Sequence, residues 1–226
     1  MLLVAVMVST MALGAFPIVG TAVVATFLAR DLGMSLTLFG AGVAVNTLFG
    51  AIFAPLSGRI SDRYGGKWSC VFVLTSAGIG LIIVAFATSP VGLVLGLLVS
   101  SYGQGACNPA TNKLVAERAA PGRRGTLTGI KQSGVQLGIL MGGFTLPTLT
   151  IWFNWRIAIG LYGAIALFAA LGTSAALPDS RPLSCFTDAA SKPKMVARLP
   201  RTVILLTPVS YTHLRAHETP AHRVLR

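Results

Sequence analysis

Acidic residues are almost missing from this 226-residue chain: six Asp and Glu stand against eighteen Lys and Arg, for a formal net charge of +12. Charge of either sign is scarce, at 11% of residues, where a soluble domain carries roughly 25%. A surface so poor in charge does not face water on all sides. Three cysteines (Cys70, Cys107, Cys185) lack paired or metal-type spacing, so neither a disulfide framework nor a metal centre is expected. Cys70 and Cys107 lie in apolar runs and read as small apolar fillers. No cofactor is expected either. The basic residues sit in short connections rather than on an aromatic-and-basic surface, which argues against a nucleic-acid partner. Asp and Glu are absent from the depth of every apolar run. That removes an embedded proton relay and the clustered His, Asp or Glu of a membrane enzyme, and the chain is not expected to be an enzyme.

Apolar residues fill the space that charge leaves, at 54% of the chain and a mean hydropathy of +0.75. A membrane helix needs about 20 mostly apolar residues. Six segments qualify, at 4–29, 37–57, 68–88, 91–112, 126–151 and 156–177. The first is too long for a signal-peptide core of about 7–15 residues and reads as a retained span. The fold class is therefore all-α and integral to a membrane. The connections near 58–67, 113–125 and 178–202 hold twelve Lys and Arg, and those on the other side hold only Arg30 and Arg156. This bias predicts a multi-pass membrane protein with its N-terminus and the basic connections in the cytoplasm and the lipid bilayer as its first partner.

The unit "two spans, short outer turn, basic inner connection" recurs, so 1–177 reads as one six-span domain of two three-helix repeats. Residues 178–202 read as a cytoplasmic linker, and 203–208 as the start of a seventh span. Residues 209–226 are polar, fit no helix or strand period and hold His213, His217 and His222. They resemble translated read-through of adapter DNA and are expected to be a non-native tail.

The connection Gly58-Arg59-Ile60-Ser61-Asp62-Arg63-Tyr64-Gly65-Gly66-Lys67 resembles the G-x-L-A-D-R-x-G-R-K motif of the major facilitator superfamily. Gly58, Asp62, Arg63, Gly65 and Lys67 match it, Ile60 replaces Leu, and Gly66 stands where Arg is usual. The resemblance implies a six-helix N-terminal half of a transporter, whose partner would be a C-terminal six-helix half. It also implies that 58–67 is a conformational-switch loop in which Asp62 meets a helix end of the opposite half. On the fifth span Gly125, Gly134, Gly138, Gly142 and Gly143 keep the spacing of an antiporter signature of that superfamily, with Ile139 at its proline position. Gly134, Gly138 and Gly142, with Gly143 beside them, are expected to pack helices closely, as are Gly92 and Gly96 on the fourth span.

Polar side chains within spans mark the candidate solute cavity: Asn46, Gln104, Lys131 and Gln136. Asn46 and Gln104 either line a cavity or bond between helices. Lys131 lies about 8–9 Å along its helix. It either snorkels back to the cytoplasmic interface or faces the cavity and attracts an anion. Asn108-Pro109-Ala110 matches a water-channel tripeptide, but it occurs once where a channel needs two. Pro109 is expected to bend the fourth span near its inner end, and Trp152 and Trp155 to anchor the interface. The resemblance implies secondary transport of a small solute by alternating access in a bacterial inner membrane, and Lys131 alone points to an organic anion. The alternatives are a drug–proton antiporter of the same superfamily and a channel-type membrane protein.

Overall fold

A backbone crossing hydrocarbon must satisfy its own N–H and C=O groups, so each apolar run becomes a helix. The computed structural model describes residues 1–120 and 122–178. Its helices are α1 (Leu2–Val23), α2 (Ala25–Asp31), α3 (Leu36–Phe86), α4 (Pro90–Arg118), α5 (Arg124–Trp152) and α6 (Trp155–Ala176). Three starts are capped by side chains. Ser35 Oγ accepts from Leu38 N–H at 3.2 Å, Ser89 Oγ from Gly92 N–H at 3.4 Å, and Asn154 Oδ1 from Arg156 N–H at 3.3 Å. The expected linker, the start of a seventh span and the tail, together 178–226, lie outside the described residues save for Pro178.

The boundaries differ from expectation in three places. The first span breaks at Val24, where φ −101° and ψ 14° leave the helical region, and the short α2 carries the chain to Asp31. The fourth does not stop at 112: α4 runs through Pro109 to Arg118. The largest departure is at 58–67, expected as a loop. Helix continues through Tyr64, and the reversal is made at Gly65 with φ 79° and ψ 170°, a backbone state that glycine adopts without steric cost.

Two contacts allow so tight a turn. The N–H of Gly66 donates to both carboxylate oxygens of Glu117, at 3.2 and 3.1 Å, and so receives an acceptor at a new helix start. Gly66 also lies against the α4 backbone, where an added Cβ would stand 2.6 Å from Leu114 Cα. Its lack of a side chain is thus a packing requirement, and not merely the loss of the motif's arginine. Without the turn, the 51 residues of α3 would extend about 75 Å at 1.5 Å per residue, more than twice the hydrocarbon thickness of about 30 Å. With it, α3 supplies two crossings, a first arm (36–64) and a second arm (66–86).

Helix directions can be read from paired residues. On the first arm, Gly42 faces Val94 and Leu97, Asn46 reaches Leu97 and Ser100, and Gly50 meets Ser101 and Gly105, so this arm runs parallel to α4. The second arm is antiparallel to α4, with Gly66 on Leu114 and Gly80 on Gly96 and Ser100. Gly134, Gly138 and Gly142 of α5 meet Val8, Ala12 and Phe16, making α5 parallel to α1, while Gly78 and Gly160 set α6 antiparallel to the second arm. These directions belong to six alternating crossings. They also show the repeat. Exchanging the first three crossings for the last three maps the first-arm/α4 pair onto the α5/α1 pair, and maps the second-arm/α6 pair onto itself.

Gly134 and Gly138 lie against the α1 backbone and Gly142 against Phe16, whereas Gly143 has nothing within 4 Å of its Cβ position. Leu28, Leu81, Leu93, Leu97 and Ile159 form the apolar core at the end away from Gly65, and Met7, Cys70, Ala110 and Leu114 that near it. Two outcomes follow from these contacts. Gly134→Val, forced against Val8, is expected to cost about 1–3 kcal/mol, and Gly143→Val less than about 0.5 kcal/mol; thermal unfolding midpoints in detergent compare them. Glu117→Ala is expected to cost about 0.5–2 kcal/mol as a lost cap and to speed hydrogen exchange at Gly66, with exchange at Gly134 unaltered.

Candidate functional site

The candidate cavity residues separate into two groups. Asn46 is fully buried: its Nδ2 donates to Leu97 O and, at 3.1 Å, to Ser100 Oγ, tying the first arm to α4. Its Oδ1 has no protein partner. Gln136 is exposed on α5. Gln104 lies half-buried on α4 beside Gly50, and its Oε1 is likewise buried without a protein partner.

Lys131 does not snorkel. Its side chain is 1% exposed, and Nζ donates to Thr111 Oγ1 at 2.9 Å and Asn108 Oδ1 at 3.4 Å, both on α4. Thr111 Oγ1 donates in turn to Cys107 O at 2.7 Å, which leaves its lone pairs for the ammonium. The buried thiol Cys107 and Met11 of α1 pack beside this group. None of these partners is an acid, and the ion pairs seen among the described residues lie elsewhere. Asn108, one turn beyond Gln104, is itself exposed. Neither Asn108 nor Thr111 stood out in the sequence as a partner of Lys131. Their i, i+3 spacing on α4 was the available sign, but only the packing of α5 across α4 gives it meaning.

The motif residues gather at the end of the bundle where the basic connections meet. Asp62 pairs with Lys113 Nζ of α4 at 2.8 Å, so a partner lies within this chain. The Asp62 side chain is 75% exposed, and an ion pair so open to water is worth roughly 0–1 kcal/mol. Arg63 lies 5.7 Å from the Tyr64 ring, and buried Lys67 places Nζ 5.2 Å from the Trp68 ring. Gly58 is inside helix with open space around it, so the sharp turn belongs to Gly65 alone. A cavity of about 590 Å³ opens here, lined by Arg59, Ile60, Arg63, Tyr64, Phe72 and Tyr102.

The opposite end is closed by Arg156. Its guanidinium bonds Asp31 Oδ2 at 2.8 Å, Ala85 O at 3.2 Å and Ala87 O, joining α2, the end of α3 and α6. Trp155 does not anchor an interface: it is buried and donates from Nε1 to Asp31 Oδ2 at 3.2 Å. Trp152, by contrast, is exposed.

This geometry agrees with its similarity to known proteins. The family model described as Major Facilitator Superfamily matches residues 2–215. The hexuronate transporter of Bacillus subtilis is 28% identical over 66% of this chain and 35% of its own length. The 4-hydroxybenzoate transporter of Pseudomonas aeruginosa is 28% identical over 70% of this chain and 35% of its own. A crystal structure of a peptide transporter (POT) in complex with sulfate superposes with a TM-score of 0.64 at 18% identity, over 96% of this chain and 46% of that one. The chain thus spans about a third of the length of the curated relatives it matches. Six alternating crossings, an internally repeated helix arrangement and a family match over most of its length have one meaning: the chain belongs to the Major Facilitator Superfamily.

Proposed function

We propose that this chain is the N-terminal half of a secondary transporter that moves a small organic anion by alternating access. The observation that carries the reading is Lys131, a buried cation within a membrane crossing, held by Thr111 and Asn108 with no acid among its partners in the described residues. A Lys at the centre of a membrane helix costs about 2.5–3.5 kcal/mol on insertion scales, and two neutral acceptors offset only part of that. An anionic solute supplies the missing charge. Cargo differs among the similar proteins, but hexuronate and 4-hydroxybenzoate, named for two of them, are both carboxylates.

In this reading a C-terminal half supplies the other wall of the cavity. The exposed Asp62, whose pairing with Lys113 is cheap to break, exchanges that partner for the opposite half as the two rock. The basic end carrying Arg59, Arg63, Arg118, Arg123 and Arg124 faces the cytoplasm of a bacterial inner membrane, and so does the N-terminus. Gln104 and Gln136 supply polar positions on the crossings that flank the solute, while Asn46 holds the wall together.

Uptake of labelled galacturonate and 4-hydroxybenzoate by cells expressing the full-length gene product tests this. Lys131→Gln is expected to lower uptake of the transported anion at sub-saturating concentration by about tenfold or more, the scale of a charged hydrogen bond. Anion uptake unchanged by the substitution removes Lys131 from solute binding.

A further inference from the structure

Lys131 is buried, so a solute in the bundle does not meet its ammonium first. Between the ammonium and open space stands Asn108, whose Oδ1 accepts from Nζ at 3.4 Å while the residue itself is exposed. An ammonium has donors and no acceptor, so only the amide oxygen can face it. The two N–H groups of Asn108 are thereby turned away from Lys131, toward the open side of α4. A cation on the oxygen side of an amide draws electron density from its nitrogen and strengthens those N–H groups as donors.

The position on the bundle fits the same reading. Gln104, one turn away on α4, touches Gly50 of the first arm, and Lys131 belongs to α5. Asn108 therefore sits on α4 between the first arm and α5. Thr111 bonds the same Nζ at 2.9 Å and passes its own proton to Cys107 O, so it fixes the ammonium and has no donor left for a solute.

Resting on the organic-anion reading above, we propose that the side-chain amide of Asn108 is the direct contact for the solute carboxylate, and that Lys131 acts through it as a positioning and polarising charge. The site takes one oxygen of a monocarboxylate on an N–H of the Asn108 amide backed by a buried cation, and it discriminates against the neutral amide of the same shape, whose carbonyl oxygen carries no formal charge to meet that cation.

Equilibrium binding of labelled acetate, benzoate, 4-hydroxybenzoate and galacturonate to the purified full-length gene product in lipid nanodiscs tests the assignment, with benzamide as the neutral comparison. Asn108→Ala is expected to weaken carboxylate binding by about tenfold or more, the scale of a hydrogen bond to a charged group. Asn108→Ser, whose short hydroxyl stops well short of the amide nitrogen's position, is expected to weaken binding likewise, and it decides the matter if Asn108→Ala unfolds. If the solute instead touches Lys131 directly, Asn108→Ala uncovers the ammonium and carboxylates bind as well or more tightly; that result overturns the proposal and leaves the organic-anion reading standing. Failure of the unsubstituted protein to bind any of the four carboxylates, or equal binding of benzamide and benzoate, overturns both.

Discussion

Backbone-to-backbone contact at glycine holds this bundle together. Two helices in lipid gain little by burying leucine on leucine, because the lipid tails are equally apolar, so closeness of approach decides which pairs form. Gly105 lies against the carbonyl of Gly50, Gly80 and Gly96 face each other's carbonyls, Gly134 lies on Val8, and Gly66 on Leu114. Each contact leaves no room for a Cβ, and together they fix the first arm, the second arm and α1 against their neighbours. The polar groups depend on these seams. Asn46 reaches Leu97 O because the Gly50–Gly105 seam, one turn further on, brings α3 and α4 together. Lys131 lies three residues before Gly134, so the contact that docks α5 on α1 also aims its side chain at Thr111.

The internal repeat gives the seams their arrangement. The first-arm/α4 seam and the α5/α1 seam are counterparts, and both join parallel helices through glycines set against the neighbouring helix. α1 and α4 meet each other where Gly14 lies on Cys107. The second arm and α6, paired antiparallel, back this arrangement through Gly78 and Gly163. A residue on the face of α4 between the first arm and α5, such as Asn108, is thus held by two rigid seams rather than by a loop. That is the placement which gives a binding group a fixed geometry.

What the sequence reveals is the crossings and the charge bias, because both are properties of long windows. Hydrophobic length marks a span whatever its neighbours do, and Lys and Arg counted by connection sort the two ends without knowledge of packing. What it conceals depends on partners distant along the chain. The stretch 58–67 looks like a loop by its charge, yet helix can carry charge once it leaves hydrocarbon. The cap that permits a one-residue reversal comes from Glu117, 51 residues away. Lys131 shows the same limit. Its distance along α5 gives a depth consistent with snorkelling, but depth says nothing of whether a neighbouring helix covers the side chain, and α4 does. Trp152 and Trp155 are alike in composition and nearness to the interface. The break at Phe153-Asn154 separates them: Trp152 ends α5 on the outside, while Trp155 begins α6 turned inward to Asp31.

The two ends of the bundle are fastened with unequal strength. At the Arg156 end one guanidinium serves a carboxylate and two helix-terminal carbonyls at once, and Trp155 adds a second donor to the same Asp31. With the Arg156 and Asp31 side chains 31% and 47% exposed, each contact is modest, but they converge on three elements, so no single element leaves without breaking several of them at once. At the Gly65 end the Asp62–Lys113 pair is open to water on the acid's side and worth roughly 0–1 kcal/mol. The second arm is held there by the Glu117 cap and the glycine contact instead. The carboxylate of Asp62 can therefore change partner without disturbing the turn beside it. An acid with that freedom, on a turn fixed by other means, is the form that the proposed contact with a second half requires: a carboxylate able to change partner on a mount held by Glu117 and Gly66.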